Sequence, residues 1–268
     1  MNLFKHALKS AGSHAPLGTW LMSASPLVAE AVGHAGFDWV VVDMEHTPLD
    51  LMGVVHMLQA LSGTKTLPIV RVPWNEAVVV KRVLDAGATT VLFPFVQNAA
   101  DAARAVAATR YPPEGVRGMA GMSRGSKYGT LPNYFGSANR QIGVIVQIET
   151  MEAVEQLEEI MRIDGVDSLF VGPADLSASL GHVGQLSHPA VMDVITKVAQ
   201  RCKAAGKPVG ILGMTPESVA QYRAAGYDYV GIASDLGLLM QACRSVIGAL
   251  RTPDSEHVHS LSSGTRLF

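Results

Sequence analysis

Four times along the chain a small residue or aspartate precedes a glycine, and an apolar run follows within a few residues. The segments are Ala35-Gly36-Phe37-Asp38-Trp39-Val40, Ala86-Gly87-Ala88-Thr89-Thr90-Val91, Asp164-Gly165-Val166-Asp167-Ser168-Leu169 and Ala225-Gly226-Tyr227-Asp228-Tyr229-Val230. Each glycine suits the left-handed position that ends a helix before the chain turns into a strand. Four differently introduced apolar runs alternate with these: Leu17 to Met22, Leu67 to Val72, Ile142 to Ile148 and Pro208 to Leu212. Helix-period segments follow the strands, predicted over 26–35, 48–61, 75–86, 98–109, 150–162, 188–205, 215–225 and 235–250. Eight strands alternating with eight helices predict a (β/α)8 TIM barrel, and 268 residues sit near the ~250 typical of that fold. An open doubly wound sheet is the poorer reading, because no G-x-G-x-x-G turn follows the first strand. Residues 1–250 are read as one barrel and 251–268 as a polar tail, in which His257 and His259 are solvated.

Composition removes several classes of partner. Only 16% of residues are charged and the net charge is -2, which makes no electrostatic case for nucleic acid or an anionic membrane surface. No stretch approaches the ~20 consecutive apolar residues of a membrane-spanning helix, and the first residues lack the apolar core of a signal peptide. Cys202 and Cys243 fall in helical segments without C-x-x-C spacing, so a reducing, cytoplasmic setting is expected.

In such a barrel, chemistry gathers at the carboxyl ends of the strands. The second strand ends in Asp43-Met44-Glu45-His46, the third at Arg71, the fifth at Gln147-Ile148-Glu149 and the sixth at Gly172-Pro173-Ala174-Asp175, with Leu212 closing the seventh. Singly, these residues have structural readings: Asp175 as a helix cap, Arg71 as the partner of Glu45. Together on one rim they favour a site. Glu149 and Asp175 end neighbouring parallel strands, and two carboxylates so placed need a shared proton or a bound cation. A cation is the expectation. None of the eight lysines stands at a strand's carboxyl end, which argues against a Schiff-base mechanism. The loop after the eighth strand also lacks a glycine-rich phosphate grip.

These motifs, in this order from about Gly18 to about Leu250, resemble the HpcH/HpaI aldolases, a family of metal-dependent (class II) pyruvate aldolases. The resemblance implies a (β/α)8 barrel whose last helix is often exchanged between subunits of a hexamer. It implies cleavage of a 4-hydroxy-2-oxo acid to pyruvate and an aldehyde through an enolate. The electron sink would be a divalent cation, Mg²⁺ or Mn²⁺ with Co²⁺ also admissible, held by Glu149 and Asp175. Arg71 would stabilise charge on the enolate oxygen. Gln147, Leu212 and the Gly172-Pro173-Ala174-Asp175 turn would contact substrate, with backbone N–H groups near Ala174 taking its carboxylate. His46 would be the general base, oriented by Asp43. The resemblance also assigns Asp85 to the site, although Asp85 ends a helix on the far side of its own barrel and would serve only from a neighbouring subunit. Residues 111–140 depart from the family pattern at Gly125 and Lys127, so this loop is expected to bear on the aldehyde half. Oxaloacetate decarboxylation, isomerisation with a single base, and non-catalytic binding of a small acid are the competing readings.

Overall fold

A computed structural model describes residues 2–10 and 15–251, and in it the eight apolar runs close on themselves. Strands β1 (Leu17–Leu21), β2 (Trp39–Asp43), β3 (Leu67–Arg71) and β4 (Thr90–Phe93) are followed by β5 (Gly143–Ile148), β6 (Ser168–Val171), β7 (Val209–Gly213) and β8 (Tyr229–Ser234). All pair in parallel and in chain order, with β8 returning to β1. The expected TIM barrel is therefore the fold.

Helices α1 (Leu3–Ser10), α2 (Pro26–His34), α3 (Leu51–Leu61), α4 (Ala77–Asp85), α5 (Ala99–Thr109) and α6 (Tyr134–Gln141) lie before β5. After it come α7 (Met151–Glu155), α8 (Leu157–Arg162), α9 (Pro173–Ser179), α10 (Pro189–Ala204), α11 (Pro216–Ala225) and α12 (Asp235–Arg251). The helix predicted over 150–162 is divided at Gln156 into α7 and α8. Three helices were not predicted, and each is eight residues or shorter. They hold too few turns for a 3.6-residue period to emerge.

The glycine–aspartate pattern has two physical parts. Gly36, Gly87, Gly165 and Gly226 take φ values between 97° and 103°, as a left-handed helix end requires. The following aspartates then bond the first free N–H of the preceding strand. Leu17 donates to Asp38 Oδ2 at 2.8 Å, Val144 to Asp167 Oδ2 at 2.9 Å and Val209 to Asp228 Oδ2 at 2.8 Å.

Large rings fill the barrel interior. Trp20, Trp39, Phe170 and Tyr229 pack edge-on or tilted at centroid distances of 5.2–6.2 Å. Phe4 of α1 plugs the lower end against Tyr229 at 5.3 Å. Glycine makes room for them: a Cβ at Gly18 would lie 2.1 Å from the Trp39 ring. Valines and leucines on the opposite strand faces bury against the helices, so the strands are apolar throughout rather than alternating. Helix α12 is different. Beyond buried Asp235 it exposes Leu239, Met240, Val246, Ile247 and Leu250. The residues expected to form the tail beyond Arg251 lie outside the described part of the chain. No helix among the described residues is long and apolar enough to cross a membrane.

Candidate active site

The β2–β3 register sets Asp43 beside Arg71 at the carboxyl ends of the two strands. Their side chains form a bidentate pair, Arg71 Nε to Asp43 Oδ1 at 2.9 Å and Nη2 to Oδ2 at 2.6 Å. Asp43 is fully buried and Arg71 nearly so; such a pair is tolerated because both groups are hydrogen-bonded. The third guanidinium nitrogen, Nη1, donates to Gln147 Oε1 at 3.5 Å and lies 2.8 Å from Glu45 Oε2. Gln147 Nε2 passes the chain on to Glu149 Oε2 at 2.7 Å. The backbone N–H of Phe95 holds the other oxygen, Oε1, at 2.6 Å. Donors from the carboxyl ends of β3, β4 and β5 thus form one connected line across the barrel mouth.

Its electrostatics are lopsided. Asp43, Glu45 and Glu149 act on the Arg71 guanidinium, and Asp175 adds its charge to Glu45 and Glu149. Burial pushes Glu149 up to about 7, with the charges of Glu45 and Asp175 adding to the effect while Phe95 N–H and Arg71 oppose it. Burial also raises Glu45, against the pull of Arg71. Glu45 Oε2 is buried without an aligned donor despite its nearness to Arg71. Gly172 makes this crowding possible, since a Cβ there would lie 2.5 Å from Glu149 Oε2. Among the described residues no three His, Cys, Asp or Glu side chains gather as a metal cluster. The candidate donor set is the carboxylate pair. Each Glu149 oxygen spends one lone pair on its N–H donor and keeps another for a cation.

Above this line opens a cavity of about 340 Å³, walled on its apolar side by Trp20, Phe170, Leu186 and Leu212. His46, Arg71, Gln147 and the Gly172-Pro173-Ala174-Asp175 turn supply its polar side. Of the rim residues expected from the sequence, His46, Arg71, Gln147, Gly172 to Asp175 and Leu212 line this space, whereas Glu149 and Asp43 lie behind it, bonded to Gln147 and Arg71, and no lysine lines it. Trp20 and Phe95 were missed. Trp20 is found by following β1 inward, but Phe95 acts through its backbone and leaves no side-chain signal.

Two expectations change, for Asp43 and for residues 111–140, while Asp85 lies where the sequence put it. Asp43 does not orient His46: its oxygens are taken by Arg71 and by Glu45 N–H at 2.9 Å. The carboxylate beside His46 is Glu45, 3.9 Å from Nε2. Asp85 stands on the opposite rim, paired with buried Arg117 at 3.0 Å. Residues 111–140 also lie there, with Gly125 N–H on Asp85 O and Arg124 on Ala86 O. A loop that follows a helix emerges at the strands' amino ends, so within one chain it cannot shape the aldehyde pocket.

Residues 17–242 match the family model described as HpcH/HpaI aldolase/citrate lyase. The chain belongs to that family. It is 49% identical over 237 residues to a 2-dehydro-3,6-dideoxy-6-sulfogluconate aldolase from Pseudomonas putida, covering 88% of this chain and 93% of that one. It is 43% identical over 250 residues to a 5-keto-4-deoxy-D-glucarate aldolase from Enterobacter sp. (strain 638), covering 93% and 97%. A crystal structure of an HpcH/HpaI aldolase/citrate lyase family protein from Burkholderia cenocepacia J2315 superposes with a TM-score of 0.91 at 42% identity, over 94% of this chain and all of that one. As an HpcH/HpaI aldolase the chain is a carbon–carbon lyase, and the line of donors described above sits at the end of the barrel where such folds do chemistry.

Proposed function

We propose that this chain is a divalent-cation-dependent aldolase that reversibly cleaves a 4-hydroxy-2-oxo acid to pyruvate and an aldehyde. The observation that carries this reading is Glu149, a buried carboxylate crowded by Glu45 and Asp175 yet held open by two N–H donors. Glu149 and Asp175 would hold Mg²⁺, Mn²⁺ or Co²⁺, oxygen ligands being suited to all three. When bound, the cation supplies the positive charge that draws electrons toward the 2-oxo group.

The chain's own residues account for the rest. His46, on the cavity wall, takes the proton of the 4-hydroxyl as the C3–C4 bond breaks, and the aldehyde leaves. The bonding pair passes into the pyruvate half as an enolate. Arg71, fixed by Asp43, offers its Nη1 side to the developing negative charge. Reprotonation at C3 yields pyruvate. Gln147 and the backbone of the Gly172–Ala174 turn orient the acid, while Trp20 and Leu212 keep water from the reacting carbons. Glu45 replaces Asp43 as the group that faces His46.

Oxaloacetate decarboxylation would use the same electron sink but needs no base. Pyruvate release from a panel of 4-hydroxy-2-oxo acids, with and without chelator, tests the proposal. Chelator-resistant turnover would remove the cation. Loss of aldol cleavage with retained oxaloacetate decarboxylation in His46→Ala would place His46 at the hydroxyl.

The assembly reading follows from α12, whose exposed leucines and isoleucine suit exchange with a neighbouring copy in a homo-oligomer, a hexamer by resemblance. Asp85 and residues 111–140 would then reach a site only from such a neighbour. A cytoplasmic enzyme of one barrel domain, with no nucleic-acid or membrane partner, completes the proposal.

A further inference from the structure

Phe95 combines a strained backbone, a direct bond to the candidate cation ligand and an exposed aromatic ring. Its φ is +54°, a left-handed conformation that a bulky residue occupies only when its surroundings hold it there. The neighbours do so from both sides: Pro94 and Val96 are buried, and Asn98 caps α5 through its bond from Asp101 N at 3.0 Å. The Phe95 ring lies on Trp74 with centroids 5.6 Å apart and planes inclined by 28°. Both rings are largely solvent-facing, Trp74 at 55% and Phe95 at 40% exposure. They therefore contribute little to the core. A second tie joins the Trp74 loop to the first turn of α5, Asn75 Nδ2 donating to Asp101 O at 2.9 Å.

We propose that the Trp74–Phe95 stack is a positioning device for Glu149, holding Phe95 in its left-handed conformation so that its N–H stays on the carboxylate. Positive φ turns the ring and the following peptide about the N–Cα bond, so the ring rests on Trp74 while the N–H remains on Glu149 Oε1. With Gln147 on Oε2, both oxygens have a fixed donor, and the carboxylate is preorganised before a cation arrives. The device rests on the reading of Glu149 as a cation ligand.

The test is Mn²⁺ binding to the metal-free protein by calorimetry, with Tm measured in parallel. Trp74→Ala and Phe95→Ala break the stack from either side, and alanine keeps the Cβ that disfavours positive φ once the stack is gone. Both are expected to weaken Mn²⁺ binding by about 10- to 100-fold, the usual effect of removing a support behind a metal ligand, with little change in Tm. Trp74→Tyr, which keeps a ring in place, is expected to restore binding. Unchanged Mn²⁺ affinity in folded Trp74→Ala and Phe95→Ala overturns the proposal, as does a lowered Tm with parental affinity, which would mark a purely structural contact. A parent that binds no Mn²⁺, or a Glu149→Ala variant that binds it as tightly, overturns the cation reading and the device with it.

Discussion

Proton and cation compete for Glu149, because burial first, and then the charges of Glu45 and Asp175, hold its proton up to about 7. Two consequences follow with definite sign. Cation binding to the metal-free protein, measured by calorimetry, should tighten as pH rises through about 7 and release a proton from Glu149. The metal-free fold should lose stability over the same rise, since a carboxyl whose folded value is raised favours folding only while protonated; added cation should restore the lost Tm at the upper end. Gly172→Ala puts a Cβ 2.5 Å from Glu149 Oε2, so cation affinity should fall by about tenfold or more in a titration that leaves the circular dichroism spectrum unchanged. His46→Ala should lower aldol cleavage by about 10²- to 10⁴-fold, the usual worth of a general base, while leaving cation affinity within error of the parent. A variant that cleaves at the parental rate would take His46 out of the proton transfer.

The elements place these residues through packing choices far from the chemistry. Gly18 in β1 admits the Trp39 ring, and that ring packs against Trp20 and Phe170 at 5.9 and 6.2 Å, both on the cavity wall. Gly18→Ala overpacks this interior and should cost about 1–3 kcal/mol, read as a lower urea midpoint with an unchanged slope. The short α9 begins at Pro173 directly after Gly172, and so carries Asp175 to the rim beside Glu149. Helix α12 belongs to a different problem. Its exposed Leu239 and Ile247 should be buried in an assembly, so Leu239→Glu is expected to shift the protein to smaller species in light scattering. A parent that is already monomeric would remove the exchange reading.

For the whole molecule, alternation and the glycine–aspartate pattern made the barrel legible because each is a local backbone requirement repeated around the chain. The end of β2 through Asp43 and the ends of β3, β5 and β6 then followed, since a parallel barrel puts all carboxyl ends on one rim. What was not legible is partner choice. Asp43 and Glu45 are two residues apart on one strand end; both reach Arg71, and which of them also faces His46 depends on side-chain directions at the end of β2. Phe95 was invisible for a stronger reason, since a backbone N–H carries no residue signature. The three short helices escaped because each spans too few turns to register a period.

The amino-acid sequence by itself determined the closed barrel, the rim and the carboxylates that meet there, because periodicity and chain order suffice for them. Only the tertiary structure decided that Arg71 bridges Asp43, Glu45 and Gln147, and that Glu149 is buried enough to hold a proton to about 7. Each of these depends on where side chains from distant strands converge and how much water they exclude. No local pattern encodes that distance.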